Sequence, residues 1–273
     1  FMYMNWRYSV GFKVIDNLVI VDHSTNHYAI TTPTKKKSPC IYTKKNIDSL
    51  NLSIYSIFYR SVIDRKLHKL GDNCPLLYAL KGKQNLVVTK DSMKDLKVPF
   101  YQILEILKNE ITDKYEKIDF IVPMPSKHNL SLQLARRLQR QFHQSIVLES
   151  LLIKKSNTEM SEEVANSSIP STDKHLILQR IKQADQRNKL FSVSDIPPPI
   201  RKYVHPIKLN GTQIIENGVY IIVDDLISTA CTLSSAQQVL ISESNEIKIL
   251  AVSLFSPVNN RIKEAWSDVH TNI

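Results

Sequence analysis

Cysteine is scarce in this chain. Its three cysteines, Cys40, Cys74 and Cys231, are far apart and form no C-x-x-C pair, which excludes a disulfide scaffold and a zinc ribbon. An odd, sparse cysteine count fits a reducing cytosol. No apolar run reaches the ~18 residues that a membrane helix needs. The opening stretch 1–21 is apolar in places, but Arg7, Lys13 and Asp16 interrupt it and no small-residue cleavage site follows. It is not read as a secretory signal. The expectation is a cytoplasmic protein with no membrane partner.

Acidic residues are outnumbered: 36 Lys+Arg against 26 Asp+Glu leave a formal charge of +10 on 273 residues. Apolar residues make up 42% and charged residues 23%, an ordinary globular balance that excludes disorder for most of the chain. A chain of this size buries a core without staples, as one large domain or two small ones. The positive excess fits nucleic acid, acidic membrane or phosphorylated small substrates; a basic but unspecialised surface fits as well. Lys35–Lys37, Lys44–Lys45, Arg65–Lys66, Arg136–Arg137 and Lys154–Lys155 are spread along the sequence, which favours a diffuse positive field over one recognition stripe.

Periodicity supplies the elements. Val10, Phe12 and Val14 alternate with other residues, Asp16-Asn17 is a turn signal and Leu18–Val21 continues as a strand, so a hairpin is expected over 9–31. Tyr28–Thr32 would add a third strand, followed by an exposed loop at 33–39. Leu50, Ile54, Ile57, Phe58 and Val62 recur at three- and four-residue steps and predict a helix within 46–70. Ile103, Leu104, Ile106, Leu107 and Ile111 predict another. Then Ile118–Val122 reads as a short strand, and Leu130, Leu134, Leu138 and Phe142 as one helix stripe, with Arg136, Arg137 and Arg140 off it as a candidate nucleic-acid or interface face. Ile146–Leu148, Val219–Val223 and Ile249–Leu254 read as strands, and Leu233, Ala236 and Leu240 as a helix. Apolar strands alternating with striped helices imply an α/β fold, with a mainly parallel sheet flanked by helices. Residues 1–75 are read as an N-terminal extension of hairpin plus helix, 76–260 as the main domain and 261–273 as a tail. The polar stretch 156–176 is expected to be a mobile insert, and Pro197-Pro198-Pro199 a rigid linker or loop.

The strongest chemical signal is the segment 219–233. Two acids, Asp224 and Asp225, follow an apolar strand, and the hydroxyl-rich Ser228-Thr229-Ala230-Cys231-Thr232 leads into a helix. Ligands of open α/β sheets bind beyond such strand ends. A loop entering a helix presents free N–H groups to phosphate. Adjacent carboxylates suit vicinal ribose hydroxyls or a magnesium ion.

This segment resembles the phosphoribosyl-pyrophosphate (PRPP) motif of type I phosphoribosyltransferases, with Ala230 where the motif has glycine. Asp119–Pro125 followed by Leu134-Ala135-Arg136-Arg137-Leu138 resembles the ComF-like branch of that family. So, more weakly, do Tyr78-Ala79-Leu80-Lys81-Gly82-Lys83 and Arg187-Asn188-x-x-Phe191. The resemblance spans roughly residues 76–258. It implies a phosphoribosyltransferase-like core with a hood over the active site. Asp224 and Asp225 would contact the ribose hydroxyls, and Ser228, Thr229, Ala230, Cys231 and Thr232 would wrap the 5′-phosphate. Pro125, Ser126, Lys127, His128 and Asn129 would lie against magnesium pyrophosphate. The implied activity is transfer of ribosyl phosphate from PRPP to a nitrogen nucleophile. The alternative is a sensor or effector that keeps the pocket and associates with DNA, RNA or a nucleoprotein. Similar domains occur beside reverse transcriptases in bacterial retron defence systems. Homo- or hetero-oligomers stay open.

The chain departs from the family in three ways. Ala230 would pay ~1–2 kcal/mol if the loop needs a positive φ there. Ser228 stands where purine-type members carry an aspartate base. The five glycines, Gly11, Gly71, Gly82, Gly211 and Gly218, all lie outside both phosphate loops. Other candidates are weaker. His23 and His27 have a helical zinc spacing, but sit in an expected hairpin with no third ligand nearby. Cys231, at a helix start, reads as packing before nucleophile. His128 is either a solvated loop histidine or a proton donor to pyrophosphate.

Overall fold

The computed structural model describes residues 11–22, 40–45, 51–60, 71, 74–211, 215–227 and 230–257. Strands β1 (Phe12–Ile15) and β2 (Leu18–Val21) form the expected antiparallel hairpin. Its turn residues Asp16 and Asn17 have φ of 46° and 67°, a geometry that matches the natural twist of the flanking strands. The third strand expected at Tyr28–Thr32, the loop at 33–39, and His23 and His27 lie outside the described residues.

Strands β3 (Cys40–Lys45) and β4 (Asn51–Arg60) come next. Residues 51–60 are therefore strand, where a helix was expected. Both faces of β4 are buried: Leu52 and Ile54 pack in one core, Tyr55 and Ile57 in the other. A strand covered on both sides has a near-continuous apolar run, which satisfies helical and strand spacing alike. The sheet thus takes in part of the segment read as an N-terminal extension.

The chain continues through α1 (Pro75–Leu80), β5 (Val87–Val88), α2 (Lys90–Thr112), β6 (Phe120–Pro123), α3 (Leu130–Gln139) and β7 (Ile146–Val147). Then follow β8 (Leu152–Lys154), α4 (Asn157–Asn166), α5 (Ser171–Gln186), β9 (Ile207–Leu209), β10 (Val219–Leu226), α6 (Cys231–Ile241) and β11 (Lys248–Pro257). The main sheet has the order β3-β4-β11-β10-β6-β7. Five of its strands, β4 to β7 in that order, are parallel, and β3 is an antiparallel edge. The protein is thus α/β with a mainly parallel sheet flanked by helices, as its alternating pattern predicts. Among the described residues no helix is long and apolar enough to cross a membrane.

Alternation along the strands builds two cores. Ile121, Ile221, Val223, Leu250 and Val252 face the layer that contains α1, α2 and α3. Phe120, Val122, Tyr220, Ile222, Ile249 and Ala251 face α6 and the β8–β9 pair. From β6 the chain steps outward to β7, whereas from β10 it steps the other way to β11. The carboxyl ends of β6 and β10 therefore flank a topological switch point, where such sheets open a crevice.

Residues 151–209 form a hood. Strands β8 and β9 pair antiparallel, and between them α4, α5 and 3-10 turns at Val193–Asp195 and Pro198–Tyr203 enclose their own core of Met160, Val164, Ile177, Ile181, Phe191, Ile196, Ile200 and Val204. The stretch 156–176, expected as a mobile insert, is largely helical. A capping box between Ser156 and Glu159 starts α4, and Met160 and Val164, four apart, bury one face. The proline triplet enters a 3-10 turn and is part of this lobe.

Candidate functional site

Strand β10 does not stop before its acids. It runs to Leu226, and Asp224 pairs with Ser253 of β11. Strand alternation then sends the two carboxylates to opposite faces. Asp224 follows Ile222 to the hood side, where it lines a cleft of about 160 Å³. Asp225 follows Val223 to the other side and forms an ion pair with Lys81, at the end of α1, at 2.8 Å. Side-chain exposures of 8% for Asp225 and 14% for Lys81 make this a buried pair. The Asp225 N–H also donates to Asp224 Oδ1 at 2.8 Å.

The consequence is electrostatic asymmetry. Burial, then the Asp225 charge, pushes the Asp224 carboxyl up from 3.8 to about 7, against weaker pulls from that N–H, Lys81 and Lys154. Asp225 has a cation; among the described residues Asp224 has no ion-pair partner and faces the cleft. Such a carboxylate favours anything that brings positive charge or hydroxyl donors.

Beyond β10, Ala230 is the N-cap of α6 and has φ 55° and ψ 12°. The loop thus demands the left-handed conformation that glycine would take freely. Among the described residues no side chain caps α6, and its first turn carries no acid. Ala230, Cys231 and Thr232 line the cleft with Asp224. Ser228 and Thr229 lie outside the described residues. Ala230→Gly should raise stability by up to about 1 kcal/mol. Relief of ~1–2 kcal/mol of left-handed strain outweighs the loss of one buried methyl, ~0.8 kcal/mol. Urea unfolding measures this, and a loss of stability would show that the Ala230 methyl matters more to packing than to strain.

The second loop leaves the neighbouring strand end. Met124 N–H donates to Val223 O at 2.8 Å, so residues 125–129 start beside the acid pair. Like Ala230, Asn129 is a left-handed N-cap, with φ 52°, and α3 also has no side-chain cap. The Ser126 hydroxyl accepts a long bond from His128 N–H, 3.4 Å. Burial, then the charges of Lys81, Lys83 and Lys127, holds the His128 imidazole below its ordinary value, with Asp225 opposing. It is therefore neutral at neutral pH, and would need an arriving anion to become a proton donor. The two loops share one edge of the sheet. The cleft is lined by Ala230, Cys231 and Thr232 and by none of Pro125 to Asn129, of which His128 is close enough to feel the Asp225 charge.

The remaining cleft wall comes from the hood: Lys154, Lys155, Phe191, Ser192, Ser194 and Arg201. Sequence reasoning assigned no role to Lys81, Lys154 or Arg201. Lys81 was within reach, because it sits in a segment matched to the family. Lys154 was visible only as one of many basic pairs, and Arg201 carries no local signal.

The arginines expected on one face are divided. Arg136 pairs with Glu149 at 2.8 Å. Arg137 contacts Tyr101 through its hydroxyl and lies over its ring, 5.8 Å from the centroid. With Arg140 it borders a separate groove of about 760 Å³, with Phe58, Leu96 and Phe100 among its apolar lining and Lys90, Lys94 and Lys97 also bordering it.

No protein-family model matches the chain, and no curated protein matches it either.

Proposed function

We propose that the protein binds a phosphorylated ribose, PRPP or a related nucleotide, at the β6–β10 switch point and acts there at ribose C1 in the manner of a phosphoribosyltransferase. The observation that carries this reading is Asp224, a carboxylate with no ion-pair partner among the described residues, which shares one cleft with the start of α6. Asp224 would accept from ribose hydroxyls. The α6 N–H groups around Ala230, Cys231 and Thr232 would receive the 5′-phosphate. Residues 125–129, with Lys81 and Lys127 near them, would take the pyrophosphate.

In such a reaction the C1–O bond to pyrophosphate breaks and its electron pair leaves with pyrophosphate. C1 becomes cationic, and a nucleophile supplies the new bond. The protein's part is to neutralise the leaving group and orient the attacker. Magnesium fits this donor set as a companion of pyrophosphate. Among the described residues no three His, Cys, Asp or Glu side chains cluster as a cage, whereas Asp224 beside Asp225 is a carboxylate that a cation would relieve. Magnesium typically uses one or two carboxylates plus substrate phosphates, and would there withdraw charge from the leaving group.

Ribose 5-phosphate against 2-deoxyribose 5-phosphate tests the hydroxyl role. Calorimetric titration, with and without magnesium, should find the deoxy sugar about 10-fold weaker, the size of one charge-assisted hydrogen bond. Equal affinities would remove Asp224 from ribose recognition.

The groove bordered by Lys90, Lys94, Lys97, Arg137 and Arg140 favours a second reading, a sensor or effector that also meets nucleic acid. Affinity for single-stranded DNA or RNA should fall about 100-fold between ~50 and ~200 mM salt if five phosphates are neutralised. Salt-insensitive binding, or none at low salt, leaves these cations without that role.

A further inference from the structure

Two cations of the hood, Arg201 and Lys154, line the cleft without an ion pair to the described acids. Several other cations of the hood have partners: Lys155 contacts Glu163, and Lys208 contacts Glu159. Lys174 donates to the carbonyls of Ala165 and Ser167, and Lys202 lies over the Tyr203 ring. Arg201 and Lys154 differ. Both line the cleft, and among the described residues neither has a carboxylate within ion-pair distance. Arg201 is half-buried. Its Nε donates to Ile196 O at 2.9 Å and one terminal nitrogen to Ser194 O at 3.2 Å, which fixes the plane of the guanidinium. A guanidinium has five N–H donors, so three remain. On a half-buried guanidinium those donors meet water until an anion, a stronger partner, enters the cleft. Asp195 and Cys231 lie close enough to be felt electrostatically, and Cys231 opens α6. Arg201 therefore stands at the end of the cleft where the helix starts. Lys154 stands nearer Asp224, whose acidity it raises.

We propose that Arg201 and Lys154 are oxyanion-binding residues of the cleft, and that they hold a phosphoryl group from the hood side while Asp224 holds hydroxyls from the sheet side. The proposal rests on the ribose-phosphate reading and adds the hood to it. One wall is cationic and the opposite wall carries a carboxylate, so the ligand has an anionic end and a hydroxyl-bearing middle. The hood is then a binding element, not only a cover. A ligand with no phosphoryl group spans only one wall.

Three titrants separate the sources of the oxyanion: inorganic phosphate, pyrophosphate and ribose 5-phosphate, each measured calorimetrically on the full chain. Arg201→Gln and Lys154→Gln should each weaken ribose 5-phosphate and inorganic phosphate about 10-fold. Tighter binding of pyrophosphate than of ribose 5-phosphate, with the same dependence on Arg201, would assign the site to the leaving group; the reverse order assigns it to the 5′-phosphate. Arg201→Lys keeps the charge, and should keep most of the affinity even though Arg201→Gln also loses bonds to Ser194 and Ile196. Asp224→Asn should weaken ribose 5-phosphate and leave inorganic phosphate unchanged. Wild-type phosphate affinity in both glutamine variants, or no phosphate binding by the wild type, overturns the role of the hood. If instead phosphate depends on Arg201 and Lys154, and Asp224→Asn changes nothing for ribose 5-phosphate, the oxyanion site stands and the ribose reading falls.

Discussion

Asp225→Asn is expected to lower stability by about 3 kcal/mol, the cost of breaking a buried ion pair by removing one partner. Lys81 then keeps its charge at 14% side-chain exposure and finds only a neutral amide. For a chain of this length each kcal/mol moves the melting temperature by roughly 2–4 °C, so a fall of about 6–12 °C should follow in calorimetry. An unchanged melting temperature would mean that Lys81 escapes to solvent at no cost and that the pair contributes little.

The same substitution one residue earlier should act with the opposite sign. Asp224 has its carboxyl raised from 3.8 to about 7 by burial and by Asp225. Below about pH 4 it is protonated in both folded and unfolded chains. Between about pH 4 and 7 the unfolded chain releases the proton and the folded chain retains it, so the Asp224 contribution to stability is lost as pH rises. Asparagine has no such loss. Asp224→Asn should therefore match the wild type near pH 4 and exceed it by at least about 1 kcal/mol at pH 8, since one unit of pKa corresponds to about 1.4 kcal/mol. The more stable variant should bind ribose 5-phosphate at least about 10-fold more weakly. Gain of stability with loss of binding is what a carboxylate kept for its ligand produces. A variant equally stable at both pH values would place Asp224 in ordinary solvent.

Much of this was legible in the sequence. Val219–Val223 and Ile118–Val122 read as buried strands because nothing polar interrupts them, and the parallel sheet followed from the helices between them. Ala230 could be questioned before its φ was known, because a motif that has glycine there suggests a left-handed backbone. Residues 51–60 misled because burial on both faces erases the period that separates strand from helix. The hood misled because its polar residues are surface, and its core rests on widely spaced positions such as Met160, Ile177 and Phe191. The adjacency of Asp224 and Asp225 also concealed a structural fact. The strand runs through them, so neighbours in sequence face opposite sides of the sheet. Lys81 and Arg201 reach the acid pair and the cleft from distant segments, and no local pattern announces a contact across 144 positions.

Equilibrium binding of isotope-labelled PRPP, with and without magnesium, to the wild type and to the Asp224→Asn, Asp225→Asn double variant tests the pocket most directly. A ribose-phosphate site at the β6–β10 switch point predicts saturable binding that magnesium strengthens and the double variant loses by at least about 10-fold, the charge-assisted contact of Asp224 being removed. Saturable binding that survives in a folded double variant, or no binding by the wild type, contradicts it.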